Sequence, residues 1–362
     1  MRFSDNSLAA IIIAAANSFV VVNGGSTSSR RRTVIAETST QLQFTEESAG
    51  DFILNHFRSS DDDPAAYNIE FRNIGASSHE CLKHFTKGHE LGTHNNKPLV
   101  PDSGLILSSG NPHQFISGGG DIGYGTDWFG YGDAKLTDLL QQTNPYVNTL
   151  DACKVKFEFR CVGSSNQPAR LSFNYMFGSE EYYEMENSPY TDLFAFFLAD
   201  ENIAKLPDGE TGVGITTVNS NVNNEFFIGN DVSDPLGIQY PQIEADGFTT
   251  QFTAEGSVNL NEWTRMKIVI ADVGDRFIDS WVLIEGGTLS CAAANSEPTV
   301  SPSKATTLKP TTKSPTPVPT VQPTTKSPVS LLFDLVYCYY LSLKPLLLLT
   351  ANILTLHIAL SS

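Results

Sequence analysis

A strict alternation of apolar and polar side chains in the middle of the chain limits what it can fold into. From Lys154 to Arg160, Val155, Phe157 and Phe159 fall on one side of an extended backbone, and Lys156, Glu158 and Arg160 on the other. A helix would scatter that pattern around its axis, whereas a strand with one buried face preserves it. Leu171, Phe173, Tyr175 and Phe177 repeat the period of two, and Met266, Ile268 and Ile270 supply another inward row. Leu193 to Leu198 is apolar on both faces and reads as a central strand, while Phe277 to Ile284, with Trp281 and Leu283 on one parity, closes the domain. Helical spacing is confined to Glu46 to Phe57 and Ala134 to Gln142. Many short strands separated by Gly, Asn, Asp and Pro predict an all-β domain, an antiparallel β-sandwich of jelly-roll type with a few short helices, over residues 43–291.

The flanks have different compositions. Residues 1–25 carry Arg2, an apolar run from Leu8 to Val22 and small residues at Gly24 and Gly25, the pattern of a secretory signal peptide. Arg30, Arg31 and Arg32 in the linker 26–42 favour the competing reading, an uncleaved anchor, because positive charge tends to hold that flank in the cytoplasm. Residues 292–328 are a Thr/Pro-rich stalk, with TTKSP at 311–315 and again at 324–328, a composition that favours extended polyproline II and offers hydroxyls for O-glycosylation. Residues 329–362 are apolar again and predict attachment to a membrane. Lys344 and Pro345 interrupt that segment, which a removable lipid-anchor signal tolerates better than a spanning helix.

The formal charge is −17, and because residues 298–362 contribute five Lys and one Asp, residues 1–297 carry −21. So acidic a domain is a poor match for nucleic acid.

Six ordered blocks carry a resemblance: SGLILSSG at 103–110, DAKLTDLL at 133–140, LDACKVKFEFRC at 150–161, LSFNYMFGSEEYYE at 171–184, TDLFAFFLAD at 191–200 and IVIADVGDRFIDSWVLI at 268–284. Together they resemble the choice-of-anchor L domain over roughly residues 43–291. The resemblance implies an extracellular or surface-attached domain followed by a C-terminal attachment signal, which the stalk and apolar tail match, and it implies no particular activity. The family pattern does not require Cys153, Cys161 or Cys291.

Cys81, Cys153, Cys161 and Cys291 lie in the domain, an even number that suits disulfides in an oxidising compartment. If 153–161 is one strand its ends stand roughly 26 Å apart, too far for a bond between Cys153 and Cys161. Two connectivities remain, both joining Cys81 and Cys291 to the ends of that strand. His79, His84, His89 and His94 recur every five residues, but that step turns successive side chains to different faces of a helix or a strand, so they read as solvated loop residues rather than metal ligands.

No G-x-S-x-G elbow or P-loop occurs, and the adjacent Glu180 and Glu181 point to opposite sides of a strand, so they cannot form a glycosidase pair. No enzyme activity is expected. The acidic residues Glu180, Glu181, Asp192, Asp272, Asp275 and Asp279 are candidates for calcium, which takes about six to eight oxygens in flexible geometry. Asp272 has the inward parity of Ile268 and Ile270, so its carboxylate must be paired, hydrogen-bonded or metal-bound. The competing reading is that Asp272, Asp275 and Asp279 accept backbone N–H bonds in a turn around Gly274. Tyr124, Trp128, Phe129 and Tyr131, in the Gly-rich loop 118–132, could present rings to a ligand or pack back as local core. The expected function is that of a secreted, cell-surface-attached adhesion or structural module without catalysis, with a carbohydrate-binding module using that loop as the alternative. Its expected partners are extracellular matrix, cell-wall glycan or a surface protein, and the membrane through the C-terminal segment.

Overall fold

A computed structural model of the chain describes residues 42–59, 66–77, 80–118, 125–164 and 167–294. The expected signal peptide, most of the linker, nearly all of the stalk and the apolar tail lie outside the described residues, as do His79 and Tyr124.

In chain order the strands are β1 (Gln43–Thr45), β2 (Asn68–Ala76), β3 (Leu82–Thr86), β4 (Thr93–His94), β5 (Lys97–Pro98), β6 (Gly104–Ser108), β7 (Thr149–Val162), β8 (Ala169–Ser179), β9 (Leu193–Leu198), β10 (Glu201–Asn202), β11 (Phe227–Gly229), β12 (Gly247–Thr249), β13 (Phe252–Val258), β14 (Thr264–Val273), β15 (Ser280–Glu285) and β16 (Ser290–Ala293). Two short helices, α1 (Ala49–Asn55) and α2 (Ala134–Leu140), fall within the stretches where helical spacing was confined. A nine-stranded sheet runs β1-β3-β6-β15-β8-β12-β11, with β13 and β16 also paired to the long β8. A five-stranded sheet runs β10-β9-β14-β7-β2, and β4 and β5 form a separate pair. The strand ladders are antiparallel, so the domain is an all-β sandwich.

The alternating rows meet between the two sheets. Val155, Phe157 and Phe159 of β7 and Met266, Ile268 and Ile270 of β14 share one buried cluster with Leu171, Phe173, Tyr175 and Phe177 of β8. Rings interlock across the gap: Phe177 stacks on Phe194 at 4.9 Å, and Tyr175 meets Phe196 edge-on at 4.7 Å. Burial of such large rings supplies most of the cohesion between the sheets.

Trp281 and Leu283 do not face the space between the sheets; their neighbours Val282 and Ile284 do. The outer face of the large sheet, where Trp281 and Leu283 lie with Phe248 of β12, is itself buried under segments that bring Phe115 and Ile243 into the same cluster, so both parities of β15 are apolar. The central placement expected of Leu193 to Leu198 holds, since β9 lies inside its sheet with β10 on one edge and β14 on the other. The strand is apolar on both sides because Leu136 of α2 covers Ala195 and Phe197 on its outer face, and β14 occupies the middle of that sheet. One expectation needs correction: Phe277 to Ile284 does not end the domain, since β16 follows and pairs with β8.

Asp133 fixes α2. Its side chain caps the helix by accepting the N–H groups of Lys135 and Leu136, both at 3.2 Å, and it takes the ammonium groups of Lys154 at 3.0 Å and Lys267 at 2.5 Å. Burial alone would raise the Asp133 carboxyl, but the two lysines outweigh it and hold it at about 2.

The disulfides are Cys81–Cys153 and Cys161–Cys291. Cys81 precedes β3 and Cys291 lies on β16, so both bonds tie β7 to the opposite sheet. Among the histidines, His84 departs from the expected solvated loop: it is buried on β3, bonded to the Thr45 hydroxyl at 2.9 Å and 2.8 Å from the Glu47 carboxylate.

Candidate functional site

Strand register assembles the acidic residues at one end of the sandwich. In the β9–β14 ladder Ala271 faces Leu193, so the next step of the register sets Asp272 beside Asp192. Both have the parity of inward residues, Ile270 and Phe194 respectively, and both are buried. From the large sheet, Ser109, which follows β6, reaches across and donates to the Asp192 carboxylate at 3.1 Å. Ser109 is held in turn by the Ser280 N–H at 3.0 Å, and the Ser280 hydroxyl donates to the Ser179 hydroxyl at 2.8 Å. Glu181, in the turn after β8, accepts the Asp192 N–H at 2.7 Å.

Asp272 is treated differently from its neighbours. It is only 2% exposed, and among the described residues neither carboxylate oxygen has a hydrogen-bond partner. Ser109 stands near Asp272 as well, but a hydroxyl has one proton to give and this one goes to Asp192. Burial, and then the Asp192 charge, push the Asp272 carboxyl up to about 11. Burial also raises Glu181 and Asp192 well above the usual carboxylate range, with Asp192 adding to the rise at Glu181 and Asp279 and Asp275 adding at Asp192. The turn reading holds for Asp275, whereas Asp279 accepts backbone N–H groups from distant segments rather than from the turn around Gly274. Asp275 accepts the Phe277 N–H at 3.1 Å, and Asp279 accepts Asn111 N–H at 3.1 Å and Thr126 N–H at 2.9 Å. Those two bonds moderate the effect of burial, leaving Asp279 at about 6. Gly110 is required here, because a Cβ at that position would collide with the Asp279 carboxylate.

Glu180 belongs to a different group. The β8–β12 register pairs Ser179 with Gly247, which sets Asp246 beside Glu180. Glu180 is 3% exposed with both carboxylate oxygens unpartnered among the described residues, and burial, followed by the charges of Asp246 and Glu244, pushes it up to about 10. Asp246 and Glu244 carried no recognisable signal in the sequence, since they lie more than sixty residues from Glu180 and only the ladder brings them near. Among the described residues, no group of three or more His, Cys, Asp or Glu side chains is arranged as a metal cage.

The aromatic loop lies next to this acidic end and displays its rings outward. Phe129 is 81% exposed and Tyr131 95%, whereas Trp128 is half-buried. Asp151 pins the loop from below by accepting the Trp128 N–H at 3.0 Å and the Gly130 N–H. Arg276 clamps it from the side, 3.4 Å from Asp127 and 3.3 Å from Asp151, while donating to the Gly130 carbonyl at 3.2 Å. The turn that supplies Arg276 also exposes Phe277, at 74%. Beyond it, Gly274 (φ +82°) abuts Tyr190 and Val147, so the exposed rings of Tyr146 and Tyr190 continue the same rim. Phe129 (φ 52°), Asp151 (φ 44°) and Ile278 (φ 69°) all adopt left-handed backbone, a conformation costly for a β-branched residue and held by the clamp just described. The sequence could nominate the rings, but Asp151 and Arg276, which set them, were missed: both fall in blocks that carry the resemblance, yet nothing in the sequence ties them to the loop, which only the fold lays against them.

No curated protein and no solved structure matches the chain. The family model of the choice-of-anchor L domain matches residues 60–290. A domain of this kind is a surface-associated extracellular module and implies no catalysis, and two disulfides agree with an oxidising compartment. With well over half of its length matched, the chain belongs to the choice-of-anchor L domain family.

Proposed function

We propose that the chain is a non-catalytic adhesion module, secreted and held at the cell surface, that engages its partner through the aromatic rim at the acidic end of the sandwich. The observation that carries this reading is the outward display of Phe129, Tyr131 and Phe277 on loops that are clamped rather than loose. A soluble domain gains nothing in stability from three exposed rings, and fixing them in advance lowers the entropic cost of binding. The aromatic and acidic surroundings suit a partner with both apolar faces and hydroxyl or cationic groups.

The same exposure supports a second reading, a carbohydrate-binding module, because flat rings stack on the apolar faces of sugars. Cell adhesion to the immobilised full chain, alongside a glycan array, separates the two. Adhesion lost in Phe129→Ala with an empty array supports a protein partner, and saturable glycan binding lost in Tyr131→Ala supports the second reading. Adhesion and glycan binding both unaffected by either substitution would remove the rim from the account.

A further inference from the structure

Asp192 and Asp272 are placed side by side by the β9–β14 register, inside the domain, and the strongest charges acting on each are other carboxylates. For Asp192 these are Asp279 and Asp275, and for Asp272 they are Asp192, Asp279 and Asp151. The nearby guanidinium of Arg276 is already engaged with Asp127 and Asp151. Two adjacent buried carboxyls must share protons or share a cation. Protonation leaves the Asp272 oxygens without the partners that buried polar atoms ordinarily have, whereas a cation would satisfy them directly.

We propose that one calcium-type divalent cation binds between Asp192 and Asp272, with neutral oxygens such as the Ser109 hydroxyl and water completing its shell. A mixed set of this kind is what the residues offer, since no three carboxylates are gathered as a cage among the described residues. It is also a set that Ca²⁺ accepts and Mg²⁺, with its rigid octahedral demand, accepts poorly. The position gives the ion a structural role. Asp192 is two residues beyond Tyr190, and Asp272 is two residues before Gly274, where the turn bearing Arg276 and Phe277 begins. The cation would therefore lock the roots of the loops that carry the aromatic rim, and the proposal stands whether the rim binds protein, glycan or neither.

The test uses the full chain, stripped with a chelator and titrated with CaCl₂ or MgCl₂ at neutral pH and about 0.15 M salt. Calorimetry should give one Ca²⁺ per chain, and a hundredfold excess over Kd should raise the melting temperature by roughly 5–10 °C, with a much smaller response to Mg²⁺. Asp272→Asn should abolish the calcium response while melting no lower than the metal-free wild type, because it replaces a buried acid with a neutral group of the same shape. Glu180→Gln, in the neighbouring acidic group, should leave the response intact. Diffuse binding without stoichiometry, an equal response to both ions, or a response lost in Glu180→Gln but kept in Asp272→Asn would each overturn the proposal. The wild-type stoichiometry decides the matter if a variant fails to fold.

Discussion

Cys153 and Cys161 sit on the same face of β7, and each is bonded across the sandwich, to Cys81 and Cys291, rather than to the other. One strand is thereby fastened to the opposite sheet near both of its ends. The bonds span 72 and 130 residues of sequence, so each removes a long loop from the unfolded ensemble. We expect the Cys161→Ser, Cys291→Ser double variant to lose about 2–5 kcal/mol of stability in denaturant melts. Peptide mapping without reduction should recover both pairs, and a Cys81–Cys161 peptide would contradict the arrangement.

Asp133 carries a helix cap and two lysines on one buried carboxylate. Asp133→Ala should therefore cost about 3–5 kcal/mol, the range for breaking a buried ion pair. The pH dependence has a definite sign. The folded-state value, about 2, lies below the ordinary value of 3.8, so this contribution is present above pH ~4 and is lost as pH falls toward 2. Acid titration should show a smaller loss of stability across that interval in Asp133→Asn than in the wild type.

Glu180 and Asp246 act in the opposite direction. Burial first, and neighbouring carboxylates second, raise them to about 10 and about 8, so between pH ~4 and those values the folded chain binds more protons than the unfolded one. Stability supplied by these groups falls as pH rises. His84 and His113, lowered chiefly by burial, oppose the trend only below about 6.5, which leaves pH 6.5–8 as the clean window. Metal-free protein should melt at least about 3 °C lower at pH 8 than at pH 6.5, and Asp246→Asn should flatten the slope. A melting temperature that climbs over that window would contradict the assignment.

Rim residues and the residues beneath them should separate cleanly. Phe129→Ala and Phe277→Ala remove exposed rings and should shift the melting temperature by less than about 2 °C while weakening partner binding. Asp151→Ala leaves the Trp128 and Gly130 N–H groups without their acceptor and should cost about 1–3 kcal/mol. Hydrogen exchange over residues 125–131 should quicken in Asp151→Ala and stay unchanged in Phe129→Ala.

The sequence by itself determined the strands and the faces that meet between the sheets, because a period of two is a local property: Phe157, Phe173 and Ile268 could be turned inward from their spacing alone. It also excluded the bond between Cys153 and Cys161, since strand length is local too, and the ordered blocks pointed to the family. Pairing is not local, and what depended on it waited for the tertiary structure. The choice between two disulfide connectivities, the outer layers that bury Trp281 and Phe197, and the placement of Asp246 beside Glu180 each follow from which strand lies next to which. The same holds for the six nominated carboxylates. Sequence gave them one label, but ladder registers divided them, placing Asp272 against Asp192 and Glu180 against Asp246, while backbone N–H groups claimed Asp275 and Asp279. A one-residue slip in either ladder would have turned those carboxylates to the other face, so their environment is a consequence of register, which only the folded chain fixes.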